Sequence, residues 1–565
     1  MISPNVSAIF PRRSVFSRNR EKKFDCDMGK LIPIEVQTMY PGDKVRLNFQ
    51  ALVRTVPLVV PPMCEINCYA QAYFVAFRAL DENFDDFISG GVDGNNAYEL
   101  PNLTPSSGSN SKAGVNCPKL HSAWDYLGFP MHPFKTSFGS VSTFSSTNEN
   151  RVRVLSYPFW AIDNIWNEYY RNENIEDEIE LGSSAYKDCN PVHWNRDYFT
   201  QSLPFQQRGI SPAIPLFGSA PVSGNLSTYT SHNILFQSNP NGSTYRNVDT
   251  SNFVGLKSST DAPLLSDYFN VIGKRSISDA FNNATNEHSG FHVPYTALDG
   301  QTNELSADLS SVTAGTINDL RLAFQIQLWM ERNARCGVRY SEFIQAHFGI
   351  HPRDERLQRP EYIGGCKFPI LTSEVVQTSS TSTTPQGNLA GKGVGLQSGY
   401  LGTYTAKEYG CLVVMFYIKP KSEYSAQGVE RQWQVKSRYD FYSPEFAHLS
   451  MQGISNSELF VSANDEKNNG IFGYSGRYDD LRYNQSQVCG NLRPDIGNLP
   501  YWTLARSFSD TPTLSPQFLQ VNADKRIFAV QGDTPSFIVD AVIGETWLRP
   551  LPKVSEPGYI DHPYY

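Results

Sequence analysis

The stretch ARCGVRYSEFIQAHFGIHPRDERLQRPEYIGG, residues 334–365, gathers the side chains best equipped for chemistry. His347 and His351 form H-x-x-x-H, the spacing of two zinc ligands on one helix face. A zinc-protease helix needs a glutamate directly after the first histidine as general base, and Phe348 stands there. Gly349 and Pro352 also break any continuous helix that would hold both rings together. Asp354 and Glu355 are adjacent, so in an extended chain they point to opposite sides, poor geometry for an acid/base pair. No G-x-S-x-G, no P-loop and no dinucleotide glycine pattern follows a strand. GKGVG, 391–395, falls in a stretch read as a low-complexity loop. Cys64 and Cys68 have a zinc-like interval but no second Cys/His pair, so packed, reduced thiols are expected. No catalytic residue, metal or cofactor is expected. The arginines of the stretch, Arg335, Arg339, Arg353, Arg356 and Arg359, read instead as structural forks that bridge carboxylates and carbonyls across loops or subunits.

A second charged feature lies near the start. Residues 12–23, RRSVFSRNREKK, hold Arg12, Arg13, Arg18, Arg20, Lys22 and Lys23 against the single anion Glu21. One reading is a solvated, flexible tail; the other is a basic arm that neutralises phosphates without reading bases. The whole chain is acidic, with formal net charge −8, so it is not a basic nucleic-acid binder overall. The run ENIEDEIE, 173–180, reads as a solvated face.

The elements that must position these groups follow from composition and pattern. The 565 residues exceed the size at which one core stops growing, so several domains or one core with long insertions are implied. Aromatic content of 13% with 40 Gly and 36 Pro suits a loop-rich, mainly β protein. No apolar h-region follows Met1, so no signal peptide is expected. The longest apolar run, CLVVMFYI at 411–418, is of strand length and too short to span a membrane. Residues 29–62 read as strands broken by Pro33, Pro61–Pro62 and a type II turn at Pro41–Gly42. INCYAQAYFVAF is a further strand. Ile162, Ile165, Trp166 and Tyr169 mark a short amphipathic helix. Thr316 opens the clearest helix, with Asp319 as capping partner, and its apolar residues on several sides predict burial on more than one face. Residues 526–552 read as a strand pair. Between these elements, 205–315 is rich in Ser, Thr, Asn and Gly yet studded with apolar groups, and reads as an ordered insertion. No internal repeat is present.

Several stretches together resemble the major capsid proteins of the Microviridae, most closely the gokushovirus-like branch. They are GKLIPIEVQTMYPGD, IWNEYYRNENI, DYFTQSLPFQQRG, LRLAFQIQLWMERNARCGVRYSEFIQAHFGI, DERLQRPEYIGG, RYDFYSPEFAHL, FGYSGRYDDLRYNQSQVCG, RIFAV and FIVDAVIGETWLRPLP. Each is modest alone; their order and number make the likeness specific over about three quarters of the chain. The resemblance implies a mainly β fold, a single eight-stranded antiparallel jelly roll with long inter-strand insertions and a few short helices. It implies no catalysis and a T=1 shell of sixty copies around circular single-stranded DNA, in a virion made in a bacterial cytoplasm. Expected partners are further copies of the chain, packaged DNA, a small basic DNA-binding virion protein and a host-surface receptor, with no membrane insertion. The organisation expected is a basic arm at 1–28, the first part of the core at 29–204, a surface insertion at 205–315 forming threefold protrusions, and the rest of the core at 316–565. Arg12, Arg13, Arg18, Arg20, Lys22 and Lys23 are the candidate interior DNA contacts. Arg335, Arg339, Arg356, Arg359, Glu361 and Tyr362 are the candidate assembly residues. Two other classes compete: a phage tail or receptor-binding protein, which would show fibrous repeats, and a β-sandwich carbohydrate-active enzyme, which would need a carboxylate pair.

Overall fold

A computed structural model describes residues 13–91, 97–103, 119–130, 135–137, 140–141, 153–212, 317–336, 339–376, 389–522, 524–530 and 532–554, with six short pieces between 216 and 314. The chain divides into two compact units, one of residues 1–211 with 327–565, the other of 212–326. In the first unit the main strands are β1 (Ser14–Ser17), β2 (Arg20–Cys26), β3 (Ile32–Met39), β4 (Lys44–Thr55), β5 (Ile66–Ala76), β6 (Glu361–Val376), β7 (Leu389–Thr405), β8 (Gly410–Pro420) and β9 (Phe537–Arg549). One antiparallel ladder runs β2–β9–β4–β7, with β1 continuing β2 along β9. The other runs β6–β5–β8–β3. Strand β6 belongs to both, because Glu361–Ile370 pair with β5 while Leu371–Val376 pair with β7. The sheet therefore folds over at β6 into two layers. Counting β2 to β9 as eight strands, one layer takes the first, eighth, third and sixth, and the other the second, seventh, fourth and fifth; this is the winding of a jelly roll.

Period-two alternation sets the layers. In β4, Val45, Leu47, Phe49, Ala51 and Val53 are buried while Lys44, Arg46, Gln50 and Arg54 are exposed. The buried row meets Cys68, Ala70, Ala72 and Phe74 of β5 and Leu412, Val414, Phe416 and Ile418 of β8 in one core. Phe49 and Phe416 reach across it with ring centroids 6.2 Å apart. Strand β8 differs: all eleven of its residues are buried. Its other face, Cys411, Val413, Met415 and Tyr417, packs into a second core with Tyr157, Phe159, Ile162 and Ile165 of α1 (Tyr157–Ile165). At about 2 kcal/mol per buried large apolar side chain, this strand is a principal source of stability. A third cluster, around Phe199, Ile454, Phe472 and Phe518, anchors the long β8–β9 connection.

The Pro41–Gly42 turn forms as read, with Gly42 at φ 90° and the Asp43 amide donating to the Tyr40 carbonyl at 2.9 Å. The amphipathic helix is α1, widened into a π turn over Trp166–Tyr170. Three readings need correction. Residues 526–530 form no strand: Ile527 and Phe528 plug the first core, and β9 takes β4 as neighbour instead. GKGVG lies inside β7 rather than a loop; a side chain at Gly391 would stand 2.7 Å from the Val60 carbonyl oxygen, so glycine permits that approach. Helix α2 (Ile317–Cys336) forms, but Leu322, Phe324, Leu328 and Trp329 are each more than half exposed. Among the described residues, that apolar surface is left largely uncovered. Thr316 and the residues 378–387 lie outside the described residues.

Where its chain is still paired with β5, β6 makes a close backbone approach to β7, and this second corner is irregular in both strands. β6 slips register between Tyr362 and Gly364, and β7 between Tyr400 and Gly402. A Cβ on Gly364 would lie 1.9 Å from the Leu401 carbonyl oxygen, which is backbone and cannot swing away. Gly364→Ala is expected to cost about 2 kcal/mol or more, seen as a lower melting temperature of the purified chain; an unchanged temperature would show the corner to be slack.

Candidate functional site

The π turn after α1 frees backbone carbonyls that a regular helix would consume. Arg339, which precedes α3 (Tyr340–Phe348), uses them: its Nη2 donates to the Asn167 carbonyl at 2.9 Å. Its Nε lies 2.7 Å from Glu173 and 3.2 Å from Glu168, and its Nη1 3.5 Å from Glu342. Burial pushes the Glu173 carboxyl up, against the pull of the Arg339 charge. Arg359 closes a parallel tie, with Nη2 2.5 Å from Asp354 and Nη1 donating to Ser341 Oγ at 2.9 Å. The Arg335 guanidinium donates to the Ser450 carbonyl. Tyr362 sits edge-on to Tyr73 with centroids 5.5 Å apart, and burial raises its hydroxyl pKa.

Arg335, Arg339, Arg359 and Tyr362 share the wall of one cleft of about 1010 Å³. Arg356 and Glu361 do not line it. Arg356 is exposed, with no side-chain partner among the described residues, and Glu361 accepts from the Tyr404 hydroxyl at 2.7 Å. His347 and His351 take separate partners: the His347 Nε2 is 2.7 Å from Asn333 Oδ1, while the His351 Nδ1 meets the Pro352 carbonyl at 3.0 Å. The Glu355 side chain lies outside the described residues. The acid run 173–180 is not a solvated face throughout, since Glu176 is buried, 2.9 Å from the His193 ring and accepting from Gln520 at 3.0 Å. The signal that could have shown this is the pair Ile175 and Ile179, four apart in the run, which pack against two of the apolar clusters.

The amino-terminal arm is not a free tail from Ser14 onward, because β1 and β2 are hydrogen-bonded to β9. Arg20 reaches Glu35, itself only 1% exposed, at 3.1 Å. Lys22 donates to the Ile34 carbonyl at 2.9 Å, and burial, with the nearby Arg20 charge, pulls its pKa down to about 8. Lys23 pairs with Glu21 and lies 3.8 Å from Asp540. The Arg18 guanidinium sits over the Trp547 ring at 6.0 Å, and an Arg13 nitrogen approaches Gly42. Arg12 lies outside the described residues.

Sequence reasoning missed two anchors. Arg506 stands over Phe518 at 4.1 Å and Trp194 at 5.1 Å and donates to the Phe518 carbonyl at 2.6 Å. Asp163, fully buried, accepts from the Gly182 amide at 2.8 Å and from Asn190 at 3.1 Å; burial pushes its pKa up to about 6. Asp163's partners are remote in sequence, and although Arg506 also stands over Phe508 at 5.6 Å, its Trp194 and Phe518 partners are remote.

The cleft's carboxylates are thus tied to its arginines, an arrangement suited to holding loops rather than to transferring protons. Jelly rolls of this winding serve as viral shell subunits, lectins and cupins, and the comparisons place this one in the first class. The family described as Capsid protein (F protein) matches residues 5–559, and the chain belongs to it. It is similar to Capsid protein VP1 of Chlamydia phage 1, 32% identical over 97% of this chain and 96% of the relative. It is also similar to Capsid protein VP1 of Spiroplasma virus 4, 30% identical over 94% and 92%, and of Bdellovibrio phage phiMH2K, 28% identical over 98% and 96%. The chain is therefore a structural major capsid protein, not an enzyme; it assembles into a capsid and resides in the virion. Among the described residues no helix is long and apolar enough to cross a membrane.

One titration is built into the seam between arm and sheet. Glu545 of β9 is 2% exposed, accepts from Trp547 Nε1 at 2.7 Å, and has its pKa raised from 4.5 to about 7, first by burial and further by Glu35. A raised carboxyl pKa means that the folded state holds the proton more tightly than the unfolded state. Its contribution to stability is therefore complete below about pH 4.5 and is lost as pH rises towards 7. Glu545→Gln is expected to flatten the fall in melting temperature across that window; an unaltered slope would assign the fall to other groups.

Proposed function

We propose that this capsid protein builds a T=1 shell of sixty copies around a circular single-stranded DNA genome, accompanied by a small basic DNA-binding virion protein. Synthesis would take place in a bacterial host's cytoplasm. The observation that carries the assembly reading is α2. Leu328 and Trp329 are 56% and 51% exposed on a chain that belongs to a capsid family. Burying two such side chains against another copy supplies about 2 kcal/mol each, and every closed symmetric shell repeats that gain at each equivalent contact. Exposed Arg356 is the member of the candidate assembly set with a guanidinium free to reach a neighbour, whereas Arg335, Arg339 and Arg359 hold the subunit itself in shape. The arm's cations contribute to DNA contact in this reading only where they are not already paired.

The segment 205–315 is the surface insertion of this reading and the part that meets a host receptor, supported by its length and its Ser/Asn-rich, weakly charged composition.

Electron microscopy of purified particles tests the assembly reading. Wild type should form uniform small shells. Leu328→Ser with Trp329→Ser should lower shell yield at least tenfold while leaving the melting temperature of the free chain unchanged, and Arg356→Ala should give a smaller drop. Normal yield from both would refute the assignment. Deleting residues 211–300 should leave shells intact and abolish adsorption to host cells; unchanged adsorption would remove the receptor role.

A further inference from the structure

Among the described residues, the outer face of the β2–β9–β4–β7 layer has no counterpart of α1 and its neighbours, which cover the other layer. Leu371 of β6, Leu396 of β7 and Ile538 of β9 are 70%, 76% and 58% exposed on this face. Register aligns them: Leu371 is opposite Val394, Val394 opposite Arg54, and Arg54 opposite Ile538, while Leu396 is opposite Leu52. The result is a shallow, largely apolar row crossing four strands, with Arg54 of β4 set into it. Lys392 of β7 lies two residues beyond Val394 of the row, and Lys44 and Arg46 lie at the opposite end of β4. Lys44, Arg54 and Lys392 have no acceptor or carboxylate in reach among the described residues, and Arg46 meets only the Tyr400 ring, at 5.6 Å.

The acids of the same face are already engaged. Glu21 pairs with Lys23, Asp540 lies 3.8 Å from Lys23, and Asp25 lies 3.3 Å from His121. Free positive charge is therefore concentrated on this platform, although the chain as a whole carries −8. Thr403 and Thr546, opposite Arg46 on either side, and Ser398 and Gln50 add hydrogen-bonding groups between the cations.

We propose that this open face is a binding platform for single-stranded nucleic acid, resting on the reading that the shell encloses such a genome. Unpaired cations take phosphates, and Tyr400 with the largely apolar row takes unstacked bases. A flat antiparallel sheet offering rings and aliphatic side chains beside free cations is a common solution to this problem. No base edge is read, so binding is independent of sequence and depends steeply on salt. The platform relocates the main DNA contact from the arm, where Arg20, Lys22 and Lys23 are bonded within the fold, to strands β4 and β7.

The test compares wild type with a fourfold variant, Lys44→Gln, Arg46→Gln, Arg54→Gln and Lys392→Gln, in the full-length chain. Binding of fluorescent oligothymidine is followed against salt, and assembled particles are assayed for DNA. All four positions are exposed, so shell yield and melting temperature should be unaffected. The slope of log K against log salt is expected to fall by about three units, four phosphate contacts at about 0.7 each, and particles should carry less DNA. A version that exchanges Lys for Arg and Arg for Lys at the four sites should bind as wild type. An unchanged slope with normally filled particles would overturn the proposal. Variant particles with normal DNA but without a small basic virion protein would also overturn it, making the face a protein-docking surface. Wild-type particles devoid of DNA would instead overturn the genome-enclosing reading.

Discussion

Strand β8 has no solvent face, and the rest of the molecule is arranged around that fact. A strand buried on both sides must be covered twice: once by the opposite layer of the sandwich and once by something outside it. The opposite layer supplies Phe49 and its neighbours. The outside cover is α1 with the residues around Trp124 and Tyr186, all drawn from the long connection between β5 and β6. That connection is thus part of the core, not an ornament on a finished sandwich. The layer containing β8 is sealed by its own chain, whereas among the described residues the outer face of the layer containing β4 has no such cover.

The same connection explains why the arginines of residues 334–365 look like an active site and act as ties. Covering β8 requires α1 to end abruptly and the chain to return, which leaves carbonyls at the π turn and carboxylates at Glu168 and Glu173 in a half-buried place. Such groups cost free energy unless paired. Arg339 satisfies three of them at once, and Arg359 holds the following segment to Ser341 and Asp354. A guanidinium suits this because its donors are fixed in a plane and stay charged.

Much of the fold was legible because it rests on local signals. Short apolar runs between prolines marked the strands of 29–62, alternation marked β5, an unbroken apolar run marked β8, and Pro41–Gly42 marked a turn whose positive φ favours glycine. What failed were readings in which local pattern and remote partners disagree. GKGVG has loop composition, yet its glycines are what let β7 approach the backbone at Val60. Ile527 and Phe528 look like a strand but serve as plugs. The acid run around Glu176 looks solvated but folds back onto His193. The apolar surface of α2 was read as buried on more than one face, yet Leu322, Phe324, Leu328 and Trp329 are each more than half exposed. In the site, Arg339 and Arg359 stood out by residue type. Asp163 did not, since its partners are distant in sequence, and Arg506 did not, since apart from Phe508 its ring partners are distant too.

Charge distribution carries the argument from subunit to shell. If, as proposed, the acidic chain encloses a polyanion, its charges must be separated in space, because like charges facing the genome would oppose packing by simple Coulomb repulsion. The fold achieves separation by consuming positive charge where it is structurally useful and leaving it free elsewhere. In the arm and the cleft, arginines and lysines are spent on Glu35, Glu173 and Asp354. On β4 and β7 the pleat throws Lys44, Arg46, Arg54 and Lys392 onto a face with few unengaged acids. A basic run in sequence is therefore a poor guide to where a folded chain is basic. Alternation in a strand, which places every second residue on one surface, is the better one, because it decides which cations remain in solvent after the others have been paired.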